Sequence, residues 1–190
     1  MYHARKTYTE CVFQDAKAFK SDISKWDVSR VIKMNDMFKN AAAFNGDLSR
    51  WDVSRVTTMR AMFSEATVFG GDVSKWDVSR VQSMREIFYV KKAFNSDISK
   101  WDISSVRDMV HMFYRAALFD IDISKWDVSN VADMDHMFSL AFSFRQNLCG
   151  AAWVNPRAQK NMMFAGSSGS ISQTLCVSAP SPVTTQVPAE

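Results

Sequence analysis

The chain has 190 residues, of which 47% are hydrophobic and 23% charged, with a formal net charge of +3, the profile of one globular domain of ordinary size. No apolar run is long enough to cross a membrane, and a small net charge with acids and bases interspersed gives no reason to expect a nucleic-acid partner. The unusual usage is 12 Met, 14 Phe and 6 Trp beside only 6 Gly.

The N-terminal stretch MYHARKTYTECVF lacks the apolar core and small-residue cleavage site of a secretory signal. Residues 1–18 read as a degenerate first repeat, because CVFQDAKAF matches the later DMFKNAAAF. From residue 19 to 143 five units of 25 residues follow without an insertion. Trp26, Trp51, Trp76, Trp101 and Trp126 mark the period, as do Met34, Met59, Met84, Met109 and Met134. Phe19, Phe44, Phe69, Phe94, Phe119 and Phe144 form a third column. Self-similarity at this length is the mark of a stacked-repeat architecture.

Inside a unit, Val56, Met59, Met62, Phe63 and Ala66 fall three and four apart, the stripe of a short amphipathic helix, with Ser54 placed as its N-cap. The other half, GDLSRWDVS, follows a turn-prone Asn45-Gly46 and carries Leu, Trp and Val, so it reads as a short strand ending in a turn. The expected class is therefore an α/β repeat: a leucine-rich-repeat-like right-handed solenoid with one short parallel strand and one short helix per coil. One unit cannot bury Leu48, Trp51, Val53, Val56, Met59, Phe63 and Phe69 alone; stacking buries like above like in one continuous core. That reading of the Met and Trp columns outweighs a flexible methionine-rich groove.

The pattern W-D-[VI]-S-x-V-x-x-M-x-x-M-F-x-x-A-x-x-F-N-x-D-[IL]-S resembles the BspA-like leucine-rich-repeat surface proteins with DUF285-type repeats, over about residues 12–164. Ile87 stands where Met is usual, Lys91 where Ala is, and Gly70 and Asp120 where Asn is. The resemblance implies a parallel-strand solenoid, secreted or displayed at a cell surface, with roles in adhesion and protein contact. It supplies no catalytic residue. With an incomplete first repeat and no leader, an N-terminally truncated fragment of an extracellular protein fits better than an intracellular one.

Residues 144–176 read as a C-terminal capping unit, in which Asn147 takes the Asp place, Cys149 takes the Ser place and Trp153 arrives two residues late. The resemblance implies a disulfide between Cys149 and Cys176, which would stabilise by about 3 kcal/mol through loop closure; two unpaired thiols are the alternative. Cys11 is left over. Residues 177–190 are a Ser/Thr/Pro-rich tail expected to be disordered, and such stalks are O-glycosylated in some secreted proteins.

Stacking turns polar positions into rows. Lys25, Arg50, Lys75, Lys100 and Lys125 form a basic row, extended by Arg30, Arg55 and Arg80. Asp22, Asp47, Asp72, Asp97 and Asp122 form one acidic row, and Asp27, Asp52, Asp77, Asp102 and Asp127 another. Like charges about 4.8 Å apart repel by roughly 0.9 kcal/mol even in water, so the rows must offset one another or the Asp side chains must accept backbone N–H bonds at turns. A cationic strip for an acidic polysaccharide is the functional reading. Calcium between Asp rows is a weaker one, because the glycine-rich turns of calcium-binding β-rolls are missing. His111, His136 and Glu86 share a column, but with Asp36 and Ala61 in it no metal site recurs, and none is expected. Equivalent serines such as Ser29, Ser54, Ser79 and Ser104 do not make a nucleophile, and no enzyme and no cofactor are expected. The expected function is a non-catalytic, monomeric interaction module for a protein or acidic glycan; the alternative is a structural spacer rod with no ligand of its own.

Overall fold

The structure, a computed structural model, describes residues 9–154 and 157–172. Successive units lie side by side in parallel register. Single parallel bridges join Lys33 to Thr58, Thr58 to Ser83, Ser83 to Asp108, Asp108 to Asp133 and Asp133 to Gln159. Just beyond each bridge, alternate amides of one unit donate to carbonyls of the next. Met34 bonds Thr58, Asp36 bonds Arg60, Phe38 bonds Met62 and Asn40 bonds Ser64, at 2.8–3.0 Å. The same ladder recurs from Met59, Ala61, Phe63 and Glu65 to the following unit. In this ladder the donor always belongs to the earlier unit.

The segment with helical spacing, 56–66, is a run of tight turns. Its apolar positions point inward as expected: Val56, Met59, Met62, Phe63 and Ala66 are all 0% exposed. The backbone differs because the amides of Met59, Ala61, Phe63 and Glu65 are spent on the neighbouring unit and cannot reach carbonyls four residues back. Met62 and Ala66 bond instead three residues back, to Met59 and Phe63. Two residues per unit take left-handed backbone, such as Ala61 (φ 50°) and Glu65 (φ 57°), which breaks any helix.

The expected strand, 46–54, is also turns. Asp47 Oδ1 accepts the Ser49 amide at 2.9 Å, and Asp52 Oδ1 accepts the Ser54 amide at 3.1 Å and its hydroxyl at 2.7 Å. Two Asx-turns in succession bend the chain where extended backbone was expected. The strand-like pairing falls later, at Thr58 and its equivalents. Regular elements occur only in the C-terminal unit among the described residues: β1 (Asn147–Leu148), α1 (Ala151–Val154) and β2 (Ser170–Ile171), with β2 pairing β1 in parallel.

Two phenylalanine ladders run through the core. Phe13, Phe38, Phe63, Phe88, Phe113, Phe138 and Phe164 stack in turn with centroids 5.4–6.1 Å apart. Within each unit a ring of the second ladder packs on the first, as Phe44 on Phe38 at 4.2 Å and Phe69 on Phe63 at 4.1 Å. Such pairs add about 0.5–1.5 kcal/mol each beyond their burial. The tryptophans staple unit to unit: Nε1 of Trp51, Trp76, Trp101 and Trp126 donates to the carbonyl of Ile23, Leu48, Val73 and Ile98 at 3.0–3.2 Å. Trp153, shifted by two positions, is fully buried with its Nε1 unpartnered among the described residues.

Candidate functional site

The Asx-turns hold the charged rows. In every unit the first Asp accepts the amide of the Ser two residues on at 2.9–3.0 Å. The second does so at 3.0–3.1 Å. Hydrogen bonds from these serines hold Asp22, Asp47, Asp72, Asp77, Asp97, Asp102 and Asp127 below the usual carboxylate range. The acidic rows are thus turn hardware.

Lys25, Arg50, Lys75, Lys100 and Lys125 each follow the first Asp-x-Ser, and Arg30, Arg55 and Arg80 follow the second; all are exposed. The ion pairs among the described residues, Lys39 with Asp36 and Arg85 with both Glu86 and Asp108, involve none of them. The structure does bring the basic residues into rows. It also sets an Asp three residues before every one of them, so acidic and basic positions alternate along the strip and its long-range field is small.

A different segment is uneven. At the left-handed positions the column reads Asp36, Ala61, Glu86, His111, His136, and its companion reads Asn40, Glu65, Val90, Arg115, Leu140. Between them lie Lys39, Ser64, Tyr89, Tyr114 and Ser139. These side chains range from buried, as at Ala61, Ser64 and Ser139, to half-buried, as at Tyr89, His111, Tyr114 and His136. In the third to fifth units they form one cluster. Tyr89 stacks on Tyr114 at 5.0 Å, His111 meets both edge-on at 5.9 and 5.3 Å, and His136 stacks on His111 at 5.1 Å. The Arg115 guanidinium lies 5.5 Å from the Tyr114 centroid. Burial, then the His136 charge, pulls the His111 pKa down; burial, then Tyr114, pushes the Tyr89 hydroxyl up. Further along the same segments, Leu118 and Phe142 are 53% and 67% exposed.

Glu86, His111 and His136 do come side by side, but no group of three metal-ligating side chains able to hold an ion occurs among the described residues. A groove of about 390 Å³ lies between 70–74 and 93–97, lined by Asp72, Ser74, Asn95, Ser96 and Asp97.

The family described as Mycoplasma protein of unknown function, DUF285, matches residues 5–80 and 68–175. The chain belongs to the DUF285 family. No curated protein and no solved structure matches it.

This DUF285 chain departs from its own repeat most sharply at Lys91. The equivalent positions are Ala41, Ala66, Ala116 and Ala141, all buried, and Lys91 is buried as completely. Its Nζ donates to the Ala66 carbonyl and lies 5.2 Å from the Phe69 centroid. Burial pulls its pKa down to about 7. Cys149 is disulfide-bonded, whereas Cys176, the partner that the resemblance implies, lies outside the described residues. Cys11 is free and exposed. No helix among the described residues is long and apolar enough to cross a membrane.

Sequence reasoning singled out the histidine column but missed Tyr89, Tyr114 and Arg115. The signal that finds them is unevenness: columns whose occupants change in size and charge from unit to unit while the core columns, Lys91 apart, stay apolar.

Proposed function

We propose that this chain is a non-catalytic interaction module, a right-handed solenoid of 25-residue coils acting outside the cell or at its surface. It engages a protein partner through the uneven face of its third to fifth units. The observation that carries this is the Tyr89, Tyr114, His111, His136 and Arg115 cluster on an otherwise repetitive exterior. Tyr and Arg are enriched at binding hot spots because each brings large contact area together with a polar tip. Binding of an acidic glycan by the basic rows is the weaker form, since an Asp accompanies each cation. The spacer rod keeps one observation in its favour, the sameness of the Asp, Ser and Lys turns.

The test is a binding screen of the folded chain against secreted proteins and acidic polysaccharides, at low and at physiological salt. Y89A/H111A/Y114A should reduce capture of a protein hit at least tenfold, while replacing Lys25, Arg50, Lys75, Lys100 and Lys125 by Ser should not. The opposite pattern, with a salt-sensitive polysaccharide hit, would transfer the function to the basic rows. Silence throughout would favour the spacer.

A further inference from the structure

The inter-unit ladder has a direction, and it leaves the two ends of the stack different. Beyond each bridge the alternate amides of the ladder donate toward the C-terminal neighbour, whereas a few others, such as Thr57 to Ile32, Gln82 to Thr57 and Ala117 to Lys91, donate the opposite way. In the first described unit, Cys11, Phe13 and Asp15 donate to Asn35, Met37 and Lys39. The carbonyls of Glu10, Val12 and Gln14 hold the corresponding acceptor places, and no amide among the described residues reaches them. In the last unit the carbonyls of Asn161, Met163 and Ala165 accept from His136, Phe138 and Leu140. The amides of Met162, Phe164 and Gly166 are the next donors in that register, and they bond nothing among the described residues.

The apolar surface is left open at the same places. Val12 is 48% exposed, although Met37, Met62, Ile87, Met112 and Met137 in its column are all at 0%. Phe13, Phe19 and Trp26 are only partly buried. At the other end Met162 is 64% exposed, and Phe164 is the last ring of the ladder that begins with Phe13. Lys160, in the column of buried methionines, holds its Nζ out of solvent without a hydrogen-bond partner among the described residues. β2 already covers the Asn147–Leu148 part of this end, so the open surface is the 160–166 segment.

One end thus offers three donors at alternate residues and an aromatic ring, and the other offers three acceptors at alternate residues and the matching ring. We propose that two copies of this chain associate head to tail. The Met162, Phe164 and Gly166 amides of one copy meet the Glu10, Val12 and Gln14 carbonyls of the next, and Phe164 stacks on Phe13. The contact repeats the junction already made between units, with the same spacing of donors and acceptors. It is heterologous and does not close, so association continues into short open chains.

Sedimentation velocity of the full chain from roughly 1 to 100 μM tests this. The expected result is a weight-average mass that rises continuously with concentration, without a plateau at the dimer. V12E spoils the head and M162E the tail; both side chains are exposed, and circular dichroism checks that each variant folds. Each alone should stay monomeric, and an equimolar mixture should form dimers and nothing larger, because the mixture holds one intact head and one intact tail. Wild type that is monomeric throughout overturns the proposal and means that other residues of the chain cover the ends. Association surviving in either variant alone, or a mixture that stays monomeric, overturns it as well.

Discussion

Lys91 and Val90 sit next to each other, and each is at odds with its place. The Lys91 ammonium is buried in a column of alanines with one carbonyl as its partner. With its pKa lowered from 10.5 to about 7, the native state binds fewer protons than the unfolded chain between those values. Stability therefore climbs with pH across that window and is flat below it. The full swing is of order 5 kcal/mol. Lys91→Ala should raise the urea midpoint at pH 7 by the equivalent of about 2 kcal/mol or more, and the gain should shrink as pH approaches 10.5. A variant no more stable than wild type at pH 7 would show that Lys91 is better accommodated than its surroundings indicate. Val90 holds φ at 52°, a conformation that costs a β-branched side chain more than any other. Asn40 fills the same place two units earlier. Val90→Asn should stabilise by about 1 kcal/mol in the same titration, whereas Asn40→Val should destabilise by a like amount.

At the scale of the element, the unit is built from turns. Asp77 accepts both the amide and the hydroxyl of Ser79, and Ser79 donates in the same way that Ser54 and Ser104 do to Asp52 and Asp102. Asp77→Ala should cost about 0.5–1 kcal/mol at neutral pH, modest because the site is solvated. The lowered carboxylate pKa values set the acid side of the stability profile. Their contribution is complete above the unfolded Asp pKa and is lost as pH falls through the native values. The chain should therefore begin to unfold only below about pH 4, read by tryptophan fluorescence, and the deficit of Asp77→Ala should vanish there.

Much of this was readable in advance. The columns were plain because the period never slips across Trp26 to Trp126, and the Asp-x-Ser turns were open to view as one of two readings. The local backbone was not. Met59, Met62, Phe63 and Ala66 have the spacing of a helix face, and consecutive tight turns produce the same spacing. Glycine would have announced the left-handed residues, yet Ala61, Glu65, Glu86, Val90 and Arg115 stand there, and glycine takes that place only at Gly166. The aromatic cluster was missed because Tyr89 and Tyr114 belong to no repeated motif, while the histidines beside them share a column.

Across the whole molecule the interactions are between neighbours, so stability should be close to a sum over units and junctions. Deleting 69–93 removes Val90 and Lys91 together and joins Val68 to Phe94 in unbroken register. That shortened chain should stay folded and lose little stability; deleting 94–118, which is equally long but carries neither, should cost distinctly more. Thermal unfolding followed by circular dichroism separates the two, and equal losses would mean that the third unit is no weaker than the fourth.

The junction between units also bears on descent. Trp51 bonds Ile23 in the same manner as Trp126 bonds Ile98, and the ladder between any two units repeats the one before it. A recombination event that gains or drops one unit's worth of codons therefore creates no surface the chain has not already made. Length becomes the property most easily altered in this lineage, more easily than the identity of any buried residue. The uneven face can drift alongside it, since its occupants already differ from one unit to the next.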